Sequence, residues 1–121
     1  MAEKILLAED DAALAKIFKN ALAKAGYEVT LIASGADVVT PFATGGFDLF
    51  VTDLMMPGAT GEDGVRSLEI LGSDKKILVV TAVDDRERLD EVAKMPNVLK
   101  VLQKPISIAA LLDEVKQALA R

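Results

Sequence analysis

Short runs of apolar residues alternate along the chain with longer stretches in which apolar residues recur at helical spacing. The runs are mostly Val, Ile, Leu and Phe with few polar positions, which is typical of strands buried on both faces. They predict five strands, at 4–8, 27–32, 49–52, 76–80 and 98–102. Because strands and helical stretches alternate, the pattern indicates βαβ units and a parallel sheet.

Five helices are predicted after these strands. The first ends at Gly26, a left-handed stop, and its apolar face is Leu14, Ile17, Phe18, Ala21, Leu22 and Ala25. The second, within 35–44, is expected to be short or kinked because Pro41 has no N–H to donate. The third ends at Gly72 and is marked by Val65, Leu68 and Leu71.

The last two predicted helices flank the fifth strand. The fourth is marked by Leu89, Val92 and Ala93 and carries Asp, Arg and Glu outside. The fifth has Ser107 as its predicted N-cap, and its buried face is Ile108, Leu111, Leu112, Val115 and Leu119. Five such β/α units predict a doubly wound, flavodoxin-like α/β fold with five helices and a five-stranded parallel sheet of order 2-1-3-4-5. Ligands are then expected beyond the carboxyl ends of strands one and three.

Composition narrows the function classes. With 121 residues, residues 1–121 are expected to form one domain. The chain has no Cys and no His, which excludes disulfides, thiolate or imidazole metal sites, and imidazole general bases. The net charge of −5, with cations scattered among acids, argues against direct nucleic-acid binding. No apolar run approaches the ~20 residues that cross a bilayer, so a cytoplasmic protein without membrane insertion is expected.

Polar groups stand at the predicted carboxyl ends of four strands: Glu9, Asp10 and Asp11 after the first, Asp53 after the third, Thr81 after the fourth and Lys104 after the fifth. All of these ends lie on one rim of a parallel sheet. Asp53 ends an apolar strand, where an ionised carboxylate is costly to bury unless donors or cations meet it. Oxygen ligands without His or Cys select a hard ion, and Mg²⁺ is the natural candidate.

Each of these residues also has a purely structural interpretation. Acids after strand one suit a helix N-terminus, and Asp11 is the predicted N-cap of the first helix. Asp53 could be a turn residue, Thr81 an ordinary strand residue and Lys104 a surface residue. Their joint placement favours the functional interpretation, because a hydroxyl and an ammonium facing carboxylates and a metal are what a transferring phosphoryl group needs.

The motifs resemble those of the receiver domain of bacterial response regulators, a CheY-like fold, over the whole chain. They are Glu9-Asp10 after Ile5-Leu6-Leu7-Ala8, Asp53-Leu54-Met55-Met56-Pro57 with Gly61 eight residues after the aspartate, Thr81-Ala82, and Lys104-Pro105. The resemblance implies that Asp53 is the phosphoacceptor. It further implies that Mg²⁺ is bound by Asp53, by Asp10 directly, by Glu9 through water and by the backbone carbonyl of Met55.

The same resemblance assigns the remaining site residues and the partners. Thr81 and Lys104 would bind the phosphoryl oxygens, and the Lys104–Pro105 peptide is expected to be cis. The phosphoryl donor would be a histidine kinase, a histidine phosphotransfer protein or a small acyl phosphate. Phosphorylation would change binding of a downstream protein at the face formed by the fourth helix, the fifth strand and the fifth helix.

The chain departs from the family pattern at several positions. Val101 stands three residues before Lys104, where an aromatic residue is common, so an inward-swinging aromatic cannot carry the signal. Glu9 replaces the commoner Asp, Pro41 is atypical, and the spacing from Thr81 to Lys104 is about one residue longer than usual. The missing aromatic leaves open a second function, a phosphate shuttle or sink in a phosphorelay that has no conformational output.

Two further classes fit less well. A hydrolase of the haloacid dehalogenase type also uses a strand-end Asp with Mg²⁺, but it needs an acid two residues later, where this chain has Met55. A flavodoxin-like cofactor binder needs a phosphate loop after strand one, where Glu9, Asp10 and Asp11 would repel phosphate. The sequence therefore predicts a regulatory domain that catalyses only its own phosphorylation and dephosphorylation.

Overall fold

Five parallel strands form one sheet in the order β2-β1-β3-β4-β5. The structure is a computed structural model and describes residues 2–9, 11–32, 47–53, 76–95 and 97–120. The strands are β1 (Lys4–Ala8), β2 (Glu28–Ile32), β3 (Leu49–Thr52), β4 (Lys76–Thr81) and β5 (Val98–Gln103). The predicted order 2-1-3-4-5 is confirmed, and each predicted strand end lies within one residue of the observed end.

Three helices lie within the described residues: α1 (Ala12–Lys24), α2 (Arg86–Ala93) and α3 (Ile108–Ala120). They correspond to the first, fourth and fifth predicted helices. The second and third predicted helices, with Pro41 and with Val65, Leu68 and Leu71, lie outside the described residues.

The helix ends follow the predicted capping. The Asp11 carboxylate accepts hydrogen bonds from the N–H groups of Ala13 and Leu14, both at 3.1 Å, so Asp11 is the N-cap of α1. The Ser107 hydroxyl accepts from the N–H of Ala110 at 3.1 Å at the start of α3. Gly26 has φ 101°, the left-handed conformation that ends α1 and turns the chain into β2.

Apolar side chains cover both faces of the sheet, because successive strand residues point to opposite sides. The α2-side core contains Leu6, Ala8, Phe47, Phe50, Ile77, Val79, Val83, Val92 and Val98. The α1/α3-side core contains Ile5, Leu7, Phe18, Leu22, Leu49, Val51, Leu78, Val80, Leu111, Val115 and Ala118. The apolar composition of β1, β3 and β4 therefore reflects burial on both faces, as predicted. The prediction is wrong for the two edge strands, because β2 has no buried residue and β5 buries only Val98.

Three residues of the predicted apolar helix faces are exposed. Ile17 is 52% exposed, and Ala25 and Ala93 are also exposed. In α1 the buried face is centred on Phe18 and Leu22, and Ile17 lies a full helical step, about 100°, from Phe18. Ile17 instead lines a groove between α1 and α3, together with Ile108 and Leu112.

The pairing of β4 with β5 contains one irregularity. Ile77 pairs with Val98 and Leu78 pairs with Lys100, so β5 has one more residue than β4 between these two pairs. A bulge of this kind adds one residue to one strand. The long spacing from Thr81 to Lys104 therefore has room for its additional residue inside β5.

Candidate functional site

Asp53 lies directly beyond β3, at the carboxyl rim of the sheet. Its N–H donates to the carbonyl of Ala8 at 3.2 Å, which continues the ladder to β1 for one residue. Glu9, directly beyond β1, is fixed in the same way by donating to the carbonyl of Ile32 at 3.2 Å. The backbone thus sets both carboxylates at neighbouring strand ends, and they are nearly buried, with 5% of Asp53 and 4% of Glu9 exposed.

Lys104 brings a cation to both carboxylates. Its N–H donates to the carbonyl of Thr81 at 2.7 Å, which anchors the residue at the end of β5 beside β4. From there the side chain crosses β4, and the ammonium donates to Asp53 Oδ2 at 2.7 Å and to Glu9 Oε1. Three charged groups from β1, β3 and β5 therefore form one ion-pair cluster.

Burial and pairing shift the pKa values of this cluster. Burial raises the pKa of the Glu9 carboxyl, although the Lys104 ammonium and the N–H of Asp11 oppose the shift. Burial also acts to lower the pKa of Lys104, but the hydrogen bonds and negative charges of Asp53 and Glu9 outweigh it and raise the pKa overall. Lys104 is therefore an ammonium at neutral pH.

Thr81 supplies the second donor to Asp53. Its hydroxyl, fully buried at the end of β4, donates to Asp53 Oδ1 at 2.9 Å and accepts from the N–H of Val83 at 3.2 Å. Both carboxylate oxygens of Asp53 thus have a donor, Thr81 on Oδ1 and Lys104 on Oδ2. These donors compensate the cost of burying the charged Asp53 carboxylate at the end of an apolar strand.

The carboxylate oxygens at the rim are the type of ligand that a hard divalent cation prefers. Glu9 and Asp53 offer carboxylate oxygens and already share one cation, Lys104, so two ionised carboxylates would leave an excess negative charge. Among the described residues, there is no cluster of three or more His, Cys, Asp or Glu side chains that could hold a metal ion. Asp10 and Met55, the other two predicted Mg²⁺ ligands, lie outside those ranges.

Two predicted switch positions lie on or next to β5. The Lys104–Pro105 peptide bond is cis. Val101 is partly buried, pairs with Val79 of β4 and packs against the α2-side core. In this chain a small aliphatic side chain occupies the position that the family often gives to an aromatic ring.

One contact near the site was not predicted from the sequence. The side-chain amide of Gln103, the residue before Lys104, donates to the carbonyl of Val83 at 3.2 Å. A polar residue at the end of an edge strand is common, and the pattern gives no signal that its amide crosses to the segment after β4. Only the three-dimensional structure connects these two residues.

Comparison with known proteins agrees with this fold. The sequence model of the response regulator receiver domain family matches residues 5–116 of this chain. The response regulator receiver protein CpdR of Brucella abortus (strain 2308) is 33% identical over 117 residues, which are 97% of each chain. The sensory transduction protein RegX3 of Mycolicibacterium smegmatis is 30% identical over 118 residues, which span 97% of this chain but 50% of RegX3.

Solved structures show the same fold. The receiver domain of the Francisella response regulator 1452 superposes with a TM-score of 0.90 at 27% identity, covering 98% of each chain. The signal receiver domain of a putative Luxo repressor protein from Vibrio parahaemolyticus gives a TM-score of 0.92 at 22% identity, covering 100% of this chain and 92% of that one.

The fold and the strand-end site define a signalling domain of two-component systems. The chain belongs to the response regulator receiver domain family, whose members are regulatory rather than classical enzymes. In the part of the chain that the structure describes, no helix is both long and apolar enough to cross a membrane.

Proposed function

We propose that residues 1–121 act as a receiver domain that accepts a phosphoryl group on Asp53 in a Mg²⁺-dependent reaction and thereby changes partner binding. The observation that carries this proposal is the Asp53 carboxylate at the sheet rim, with Thr81 on one oxygen and Lys104 on the other. A hydroxyl and an ammonium converging on one carboxylate are suited to the phosphoryl oxygens that the carboxylate would receive.

Phosphorylation and dephosphorylation each form one bond to phosphorus and break one. An Asp53 oxygen attacks the phosphorus of a phosphohistidine or a small acyl phosphate, and the P–N or P–O bond to the donor breaks with its electron pair leaving on the donor. The product is an aspartyl phosphate. In dephosphorylation, a separate hydrolytic step, a water oxygen attacks the phosphorus, the bond to Asp53 breaks with its electron pair returning to the carboxylate, and inorganic phosphate leaves while solvent takes the proton.

Thr81 and Lys104 change partners during this reaction. Before transfer they bind Asp53 oxygens, and after transfer their donors move to oxygens of the new phosphoryl dianion. The metal would be held by Asp53, Asp10 and the Met55 carbonyl, with Glu9 acting through water. When bound, Mg²⁺ neutralises charge so that an anionic carboxylate can approach an anionic phosphoryl group.

The partners follow from this chemistry. The phosphoryl donor is a histidine kinase or a histidine phosphotransfer protein, and the output is a downstream protein that binds the face of α2, β5 and α3. Direct nucleic-acid binding and membrane insertion are not part of the proposal, because the net charge is −5 and no basic face is evident in the sequence. The proposed location is the cytoplasm.

The decisive experiment replaces Asp53 by Asn and measures incorporation of phosphate from radiolabelled acetyl phosphate with Mg²⁺. We expect the Asp53→Asn variant to lose labelling, because an amide oxygen is a poor nucleophile toward phosphorus, and we expect EDTA to abolish labelling of the unchanged protein. Asp48→Asn is the matched control, since Asp48 precedes the other end of β3 and accepts from the N–H of Lys4 at 2.8 Å. Undiminished labelling of Asp53→Asn would rule out this assignment.

A phosphate shuttle or sink is the second candidate function, and Val101 is the observation that favours it. In the family, rotation of an aromatic side chain at this position of β5 commonly carries the conformational signal. Val101 has no ring to rotate, so this chain lacks that form of output. Phosphotransfer assays run in both directions separate the two functions. Rapid return of phosphate to a phosphotransfer protein supports a shuttle, whereas partner capture only by the beryllofluoride-loaded protein supports a switch.

A further inference from the structure

Val83, two residues beyond β4, is held from two sides. Its N–H donates to the Thr81 hydroxyl at 3.2 Å, and its carbonyl accepts from the Gln103 amide at 3.2 Å. Thr81 and Gln103 also pair with each other in the register of β4 and β5. The ends of two neighbouring strands thus clamp the segment between them.

The two hydrogen bonds of Val83 affect the orientation of the Thr81 hydroxyl, because that hydroxyl has only one proton to donate. A hydroxyl rotates freely unless a donor occupies one of its lone pairs and an acceptor takes its proton. Here the N–H of Val83 occupies a lone pair and Asp53 Oδ1 takes the proton at 2.9 Å. The position of Val83 therefore sets the direction in which Thr81 donates.

We propose that Gln103 is a positioning residue for phosphorylation of Asp53. By holding the carbonyl of Val83, Gln103 keeps the N–H of Val83 on Thr81, and so keeps the Thr81 proton aimed at the oxygens of Asp53 and of the incoming phosphoryl group. Gln103 itself touches no reacting atom. This inference rests on the proposed function, since it concerns the rate of the same reaction.

The contacts predict an effect on rate with little effect on stability. The Gln103 residue is exposed at the end of an edge strand, so its removal leaves the Val83 carbonyl free to turn toward water. The Val83 side chain stays in the α2-side core, where 8% of the residue is exposed. What is lost is the fixed orientation of one peptide segment next to Thr81.

The test compares the labelling rates of the unchanged protein and the Gln103→Met variant, using acetyl phosphate at saturating Mg²⁺. Methionine keeps the length and removes the donor without adding charge. We expect labelling to slow by about three- to tenfold, the usual effect of losing one neutral hydrogen bond in a transition state. Gln117→Met is the matched control, because Gln117 donates to Asp113 at 2.7 Å on the exposed side of α3. The control should keep its rate, and all three proteins should keep their melting temperature.

A double-mutant cycle with Thr81→Ala tests the route. If Gln103 acts through Thr81, Gln103→Met should have no further effect once Thr81 is alanine. Equal rates for Gln103→Met and the unchanged protein, or the same fold loss in the Thr81→Ala background, would overturn the inference while leaving the proposed function intact. If the unchanged protein takes up no phosphate, the proposed function fails and the inference fails with it.

Discussion

Lys104 supplies positive charge to the two carboxylates of the rim that the structure describes. Its ammonium is the cation that binds both nearly buried carboxylates, Asp53 and Glu9. A buried ion pair adds little net stability when intact, but removing one partner leaves an uncompensated charge. Since pairing raises the pKa of Lys104, the ammonium stays charged and serves as the resting counter-ion of the phosphoacceptor.

Substituting Lys104 by Met should separate this resting role from metal binding. In EDTA, Lys104→Met should lower the free energy of unfolding by about 2–4 kcal/mol, because two carboxylates lose their shared cation. Mg²⁺ should still bind and recover part of that loss, while the response to beryllofluoride should disappear. Urea unfolding with and without Mg²⁺ measures the first effect, and a binding titration measures the second.

Lys100→Met is the control for that experiment. Lys100 pairs with Glu114 at 3.0 Å, but its side chain is 48% exposed, so the substitution should cost less than about 1 kcal/mol. Equal costs at Lys100 and Lys104, or loss of Mg²⁺ affinity in Lys104→Met, would contradict the role assigned to Lys104.

The sequence predicted which residues share the rim, but not how they pair. Parallel strand ends lie on one edge, so Glu9, Asp53, Thr81 and Lys104 could be grouped from the strand pattern alone. That one ammonium reaches two carboxylates depends on the side chain crossing β4, and no sequence spacing encodes such a path. The hydrogen bond from the Gln103 amide to the Val83 carbonyl was not predicted for the same reason.

At the scale of elements, the start of α1 is fixed by one side chain. Asp11 accepts two backbone hydrogen bonds from the first turn and lies two residues beyond Glu9 in the chain. Its own N–H donates to the Glu9 carboxylate at 3.3 Å. The cap therefore connects the stability of α1 to the geometry of the rim.

We expect Asp11→Ala to lower the free energy of unfolding by about 1 kcal/mol, since it removes both hydrogen bonds to the first turn. For a domain of this size the melting temperature should fall by roughly 3–6 °C. Asp11→Asn, which keeps an acceptor oxygen, should cost clearly less. Thermal unfolding followed by circular dichroism measures all three proteins, and equal losses for Ala and Asn would show that charge, not capping, dominates.

Helical spacing predicted the elements better than their exact faces. A stripe of apolar residues in α1 covers a wide arc, and only tertiary packing decides that Phe18 and Leu22 face the sheet while Ile17 faces solvent. The register shift between β4 and β5 was likewise visible in the sequence only as a Thr81-to-Lys104 spacing one residue longer than usual. Local pattern sets the type of an element, whereas the neighbours that it meets set its rotation and register.

At the scale of the whole molecule, the helices are unevenly anchored to the two cores. The 13-residue helices α1 and α3 each have three buried residues, whereas the eight-residue α2 buries Val92 alone. Regions with few buried apolar contacts open at lower free energy than the rest of a fold. The sparsely anchored α2 follows the segment that contains Val83, the residue clamped next to Thr81.

Amide hydrogen exchange should therefore show two linked effects. In the unmodified protein, amides of α2 should exchange faster than those of α1 and α3, because α2 has the fewest buried residues. Amides of the buried central strands β1, β3 and β4 should exchange slowest. Beryllofluoride with Mg²⁺ should change protection mainly in residues 82–93, since a phosphoryl mimic draws the Thr81 proton away from Asp53 and shifts Val83 at the root of α2. Asp53→Asn should show no such change. Uniform exchange across the three helices, or a change confined to α1 and α3, would mean that the signal leaves the site by another route than Thr81 and Val83.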